Sequence, residues 1–94
     1  MTYKIYQLKK EHRDLLFRGY DEKNFNIKNY DLKWEDYLLI SANVLNTCEI
    51  LDEIYRKFNI SRPDGFRGHS LSVSDVVELD GTLYYVERMG WKKL

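Results

Sequence analysis

The sequence predicts an α+β fold, in which a small and mainly antiparallel sheet packs against one principal helix and includes a C-terminal β-hairpin. Three observations predict it. Tyr3-Lys4-Ile5-Tyr6-Gln7-Leu8 is rich in aromatic and β-branched residues, the composition of a strand. Val44, Cys48, Leu51, Tyr55 and Phe58 recur at spacings of four, three, four and three, the period of an amphipathic helix. Asp80-Gly81 stands between two β-rich runs; a two-residue type I′ turn needs positive φ at both centres, and Asp-Gly accepts it.

Taken in order, the first strand places Tyr3, Ile5 and Gln7 on one face and Lys4, Tyr6 and Leu8 on the other, because side chains alternate along a strand. Between Lys10 and Tyr20, the apolar residues Leu15, Leu16, Phe17 and Tyr20 suit a short helix and an extended segment equally. Asp21-Glu22-Lys23-Asn24 reads as a polar loop. Tyr30-Asp31-Leu32-Lys33-Trp34 alternates as a second strand, which Tyr37-Leu38-Leu39-Ile40 either extends or follows with a new element. The helix is predicted from about Thr47 to Phe58, its stripe widened by Ile54. Asn46 and Glu49 have the spacing of a capping box, Arg56 and Lys57 suit the negative end of the helix dipole, and Asn59 is a stop signal. Ser61 to Ser70 is a loop containing the only proline, with Phe66 as its anchor. Leu71, Val73 and Val76-Val77 then lead into the hairpin.

The 94 residues make one domain, 1–94, large enough for one core and too small for a deeply enclosed site. No apolar run approaches the ~18 residues of a membrane span, and no signal peptide is visible at Met1 to Tyr6, so the expectation is a soluble cytoplasmic protein. Fifteen basic and fifteen acidic groups cancel, whereas strong nonspecific nucleic-acid binders carry a basic excess. Eight Tyr, four Phe and two Trp exceed what a core of this size must bury, and tyrosine is enriched at protein contacts.

The run from Leu51 to Asn59, then Arg62-Pro63 and Phe66-Arg67-Gly68-His69-Ser70-Leu71-Ser72-Val73-Ser74-Asp75-Val76-Val77, resembles the signature of the YodL-like family. The strand Tyr3 to Leu8, Tyr84-Tyr85-Val86 and Gly90-Trp91 are similar to that family's ends, and residues 21–46 are least characteristic. Glu87 and Trp91 are mild departures, at positions where Asp and Phe are common. The resemblance implies a domain carried by phages, plasmids and conjugative elements, with a role in conflict or accommodation between element and host. It carries over no catalytic residues.

His69, Ser70, Ser72, Ser74 and Asp75 are the residue types of a nucleophile, base and acid. Their closeness in sequence argues against a triad, whose imidazole normally folds over the hydroxyl from a separate element; turn-capping roles suit them better. A small hydrolase using His69 and Ser70 is accordingly the least favoured reading. His12 and His69 are the only histidines, and Cys48, the only cysteine, lies on the apolar stripe and reads as buried. Neither a zinc pattern nor a phosphate-binding glycine motif is present, and no cofactor is expected. Glu11, Asp14, Asp21 and Glu22 read as a solvated face.

The strongest surface feature is the stretch from Arg56 to His69, where Arg56, Lys57, Arg62 and Arg67 outnumber Asp64. Arg62, Phe66, Arg67 and His69, with the aromatics Trp34, Tyr37 and Trp91, form the candidate partner-binding set. The expectation is a non-enzymatic protein-binding module, an inhibitor of a host defence system such as a CRISPR or restriction nuclease. Nucleic-acid binding through the Arg62–Arg67 loop is the alternative.

Overall fold

The computed structural model describes residues 1–20, 25–38 and 46–94. The expected loop Asp21 to Asn24, and Leu39, Ile40 and Val44, lie outside the described residues. Among the described residues five strands, β1 (Thr2–Leu8), β2 (Tyr30–Tyr37), β3 (Val76–Leu79), β4 (Thr82–Val86) and β5 (Trp91–Lys93), form one sheet of order β2-β1-β3-β4-β5 in which every neighbouring pair is antiparallel. Helix α1 (Thr47–Ile60) packs on one face, so the chain is the α+β domain that its pattern predicts.

The alternation of β1 puts both sheet faces to use. Tyr3 and Ile5 join Val77, Leu79 and Val86 beneath Ile50, Leu51, Ile54 and Phe58 of α1. Leu8 joins Tyr30, Val76 and Tyr85 on the opposite face, where Leu15, Leu16, Tyr20 and Phe25 cover them. The cover comes from a 3₁₀ segment, Lys10–Leu15, broken at His12, with the residues that follow it, and from Phe25, which precedes a second short 3₁₀ turn, Ile27–Asn29, that buries no residue of its own. Three-residue turns present no lasting apolar stripe, which is why residues 10–20 read ambiguously from sequence.

A β-bulge decides how β2 contributes. Ile5 pairs with Trp34 and Tyr6 with Leu32, so Lys33 is the extra residue. A regular strand would aim Tyr30, Leu32 and Trp34 at the same face. The bulge reverses the alternation: Tyr30 packs on the face away from the helix, while Trp34 packs toward it, 6.1 Å from the ring of Phe58.

In α1 the Asn46 side chain accepts from the Glu49 amide at 2.9 Å, the cap expected from sequence. Two features of the helix differ from expectation. It continues through Asn59 to Ile60 with Ser61 as its C-cap, because the Asn59 amide donates to the Tyr55 and Leu71 carbonyls instead of terminating the turn. The buried stripe is Ile50, Leu51, Ile54 and Phe58, and Cys48 and Tyr55 are exposed; the face meeting the sheet is rotated toward Ile50, and Tyr55 turns outward against Trp91.

The hairpin forms as predicted, with Asp80 at φ 46° and Gly81 at φ 86°. Beyond it, β5 is a strand that the pattern does not reveal, since three residues are too few to alternate. Tyrosine hydroxyls tie the covering segments to the sheet: Tyr30 donates to the Ser74 carbonyl at 2.5 Å and Tyr85 to that of Arg18 at 2.6 Å. Three of the eight tyrosines, Tyr3, Tyr30 and Tyr85, are thus buried with their hydroxyls bonded. Among the described residues, no helix is long and apolar enough to cross a membrane.

Candidate functional site

The loop after α1 is fastened to β1 by one buried amide. Gln7 is fully buried; its Nε2 donates to the His69 carbonyl at 2.9 Å and to Asp75 Oδ2 at 3.1 Å, and its Oε1 accepts from the His69 amide at 3.2 Å. Asp75 Oδ2 also accepts from the Ser72 amide at 2.8 Å. Gly68 permits this approach, since a Cβ there would collide with Gln7 Oε1 and lie 2.7 Å from Phe66 Cζ.

The residue types of a catalytic constellation meet within this knot, and their polar atoms are directed at the backbone. His69 Nδ1 lies 2.7 Å from the Ser70 carbonyl, and Nε2 is 3.9 Å from Asp75 Oδ1. The Ser72 hydroxyl donates to the Ser70 carbonyl at 2.8 Å, and the buried Ser74 hydroxyl accepts from the Phe17 amide at 3.4 Å. Such side chains shape a loop.

The knot forms the back of an open cleft of about 860 Å³, whose walls include Lys10 and Arg13 of the 3₁₀ segment, Lys33 of the bulge, and Arg62, Arg67 and His69 of the loop. Asp31 is the one carboxylate among the described lining residues. None of these five lysines and arginines enters an ion pair among the described residues. Three carboxylates lie toward the other end of β1, where Glu35 and Glu78 flank Lys4 at 3.3 and 3.5 Å and Asp80 accepts from the Thr2 amide. The hydrogen bond that Lys4 donates to Glu35, then the charge of Glu78, hold the Lys4 ammonium above its usual range. The two ends of β1, a strand roughly 20 Å long, thus carry different charged neighbours, although Glu11 and Asp14 share the 3₁₀ segment with Lys10 and Arg13 and Asp64 shares the loop with Arg62 and Arg67.

An apolar wall completes the cleft. Leu8 and Leu16 line it beside Phe17, which is 62% exposed and sits at φ 65°. That left-handed conformation costs a residue with a Cβ roughly 1–2 kcal/mol. It is held by bonds from the Phe17 amide to the Val73 carbonyl at 3.2 Å and to Ser74 Oγ; Ser74 itself has φ 89°.

Of the candidates drawn from sequence, the fold brings Arg62, Arg67 and His69 together in the cleft. Phe66 is half-buried, 4.9 Å from the Phe58 ring and 6.2 Å from that of Trp34, and Trp34 donates to the Tyr3 hydroxyl; both are packing residues at the core's edge. Tyr37 is exposed beside the acidic end of β1. Trp91 lies on β5, donating to Asp52 at 3.0 Å. Arg56 stays on α1, 4.0 Å from Glu53, and is not among the cleft residues. Sequence reasoning missed Lys10, Arg13, Lys33, Leu16 and Phe17. No local spacing links them, and only the bulge and the covering segment carry them to the loop. Among the described residues no group of three His, Cys, Asp or Glu side chains gathers as a metal site.

A family model described as a YodL-like domain matches residues 2–94. No curated protein and no solved structure matches the chain significantly.

Proposed function

The chain belongs to the YodL-like domain family, and from that premise we propose that it is a non-enzymatic binding module whose docking site is the cationic cleft and whose partner is a protein with an acidic surface. The observation that carries this reading is the convergence of Lys10, Arg13, Lys33, Arg62 and Arg67 on one concavity without ion-pair partners among the described residues. Five like charges held together repel one another and lower the stability of the free domain, and an acidic partner relieves that repulsion while steering association. The segregation of charge favours a partner of limited extent: a long polyanion continuing past the cleft would approach the acidic end of β1. The serine and aspartate contacts with loop backbone support a structural role for the residues that a hydrolase would use.

The mobile-element setting implied by the family resemblance makes host defence nucleases, of CRISPR or restriction type, the first partner class to assay. A nucleic-acid mimic presents acidic groups. This cleft presents cations, so such an inhibitor would bind an acidic face of the nuclease and not its nucleic-acid channel.

Affinity capture from host lysate, with and without nuclease treatment, tests the reading when the parent chain and the double variant Arg62→Glu/Arg67→Glu are run side by side. The expected result is a stoichiometric protein that survives nuclease with the parent and is lost with the variant. Equal recovery by both proteins would sink the cleft as the site.

A second reading, binding of single-stranded nucleic acid, is favoured by the exposed Phe17 ring in a cationic cleft, where a base can stack. It predicts a logarithmic salt slope of about −3.5 if all five cations meet phosphates, at ~0.7 per contact. Undetectable binding of oligonucleotides at low salt excludes it.

A further inference from the structure

Resting on the cleft as the docking site, we propose that the occupant is an acidic protein segment carrying an aromatic or long aliphatic side chain, and that this side chain lies on Phe17. Phe17 serves neither the core nor its own backbone. It is largely exposed, so burial in the domain does not compensate for its left-handed φ of 65°, a conformation that glycine adopts freely and asparagine tolerates. Two hydrogen bonds, to the Val73 carbonyl and to Ser74 Oγ, hold it there, and Ser74 is itself buried and left-handed. The ring is therefore presented by a fixed backbone, at the wall where Leu16 also lines the cleft.

The other walls supply positive charge. A ligand matching both chemistries places carboxylates toward Lys10, Arg13, Arg62 and Arg67 and one apolar group against Phe17. Fixed presentation of the ring reduces the ordering cost of binding, which gives a strained exposed aromatic a use that the free domain lacks.

The test is fluorescence anisotropy at low salt with three labelled probes: a glutamate-rich peptide with one central tryptophan, the same peptide with alanine in its place, and an oligothymidine. Three proteins are compared, namely the parent, Phe17→Gly and Arg62→Glu/Arg67→Glu. Phe17→Gly is chosen because glycine relaxes the backbone, so its Tm is expected at or above the parent's, and any binding loss is then not a folding loss. We expect the parent to prefer the tryptophan peptide about fivefold, Phe17→Gly to lose that preference while still binding the alanine peptide, and the double variant to bind neither. Equal binding of the two peptides by the parent, or an unchanged preference in Phe17→Gly, overturns this inference and leaves the cationic cleft standing. Parent-like binding by the double variant overturns the cleft itself. Tighter binding of oligothymidine than of either peptide overturns the protein occupant in favour of nucleic acid.

Discussion

Gln7 is a polar residue at a position where alternation alone would place an apolar one, and its amide explains why. Both of its ends are bonded, to His69 and Asp75, so Gln7→Ala strips a donor from the buried Asp75 carboxylate and an acceptor from the His69 amide. Leaving buried polar groups unsatisfied costs about 1–3 kcal/mol; a lowered urea midpoint with little change in slope is the expected result. Tyr30 tests burial through pH. Burial raises the phenols of Tyr30 and Tyr3 above their ordinary value of 10.0, so the folded chain keeps protons that the unfolded chain releases in alkali. That contribution is complete below pH 10.0, where both states are protonated, and is lost as pH rises further. Urea midpoints at neutral pH and above pH ~10.5 should therefore fall with alkali in the parent. Tyr30→Phe should be weaker at neutral pH by about 1 kcal/mol, having lost its bond to Ser74, and should decline less steeply.

The extra residue of β2 separates what a side chain does from what its presence in the backbone does. Lys33→Ala removes a cleft cation and should leave stability within about 0.5 kcal/mol. Deleting Lys33 leaves Ile5 opposite Trp34 and Tyr6 opposite Leu32 in a regular ladder, so Trp34 keeps its place on Phe58 and the cost should stay under about 1.5 kcal/mol while the local bend of β2 is lost; thermal unfolding by circular dichroism checks both. Legibility from sequence followed the same division. The hairpin, β1 and the capped helix were readable because their determinants are local: a dipeptide, an alternation, a period of 3.6 and an Asn three residues before Glu49. The reversal within β2 was not, because a bulge is set by the partner strand and leaves the composition of Tyr30–Tyr37 unchanged. The 3₁₀ segment, the short β5 and the left-handed Phe17 likewise lack a periodic signature. Half the site was therefore visible, as Arg62, Arg67 and His69 on one loop, and the half brought by Lys10, Arg13, Lys33 and Phe17 emerged only with the fold.

For the whole molecule, the decisive property is an uneven distribution of a charge that sums to zero. Composition argued against a polyanion-binding surface, yet five cations without ion pairs among the described residues line one cleft, and Glu35, Glu78 and Asp80 stand at the other end of β1. Arg62→Glu/Arg67→Glu should consequently raise Tm by a degree or more at low ionic strength, since it relieves like-charge repulsion, and the gain should shrink in ~0.5 M salt. Scanning calorimetry at both salt concentrations checks this. A variant that becomes more stable while losing its partner would mark the cleft as retained for binding at the expense of the fold.

The sheet order also fixes a sequence of events in time. β1 lies inside the sheet and pairs Tyr3 with Leu79, so during translation its edge waits on the order of several seconds for β3. Only β2 is available to it earlier, and α1 has no complete apolar face to settle on until the hairpin arrives. The nascent chain thus spends most of its synthesis with an apolar strand paired on one edge alone, the kind of open edge on which chains associate.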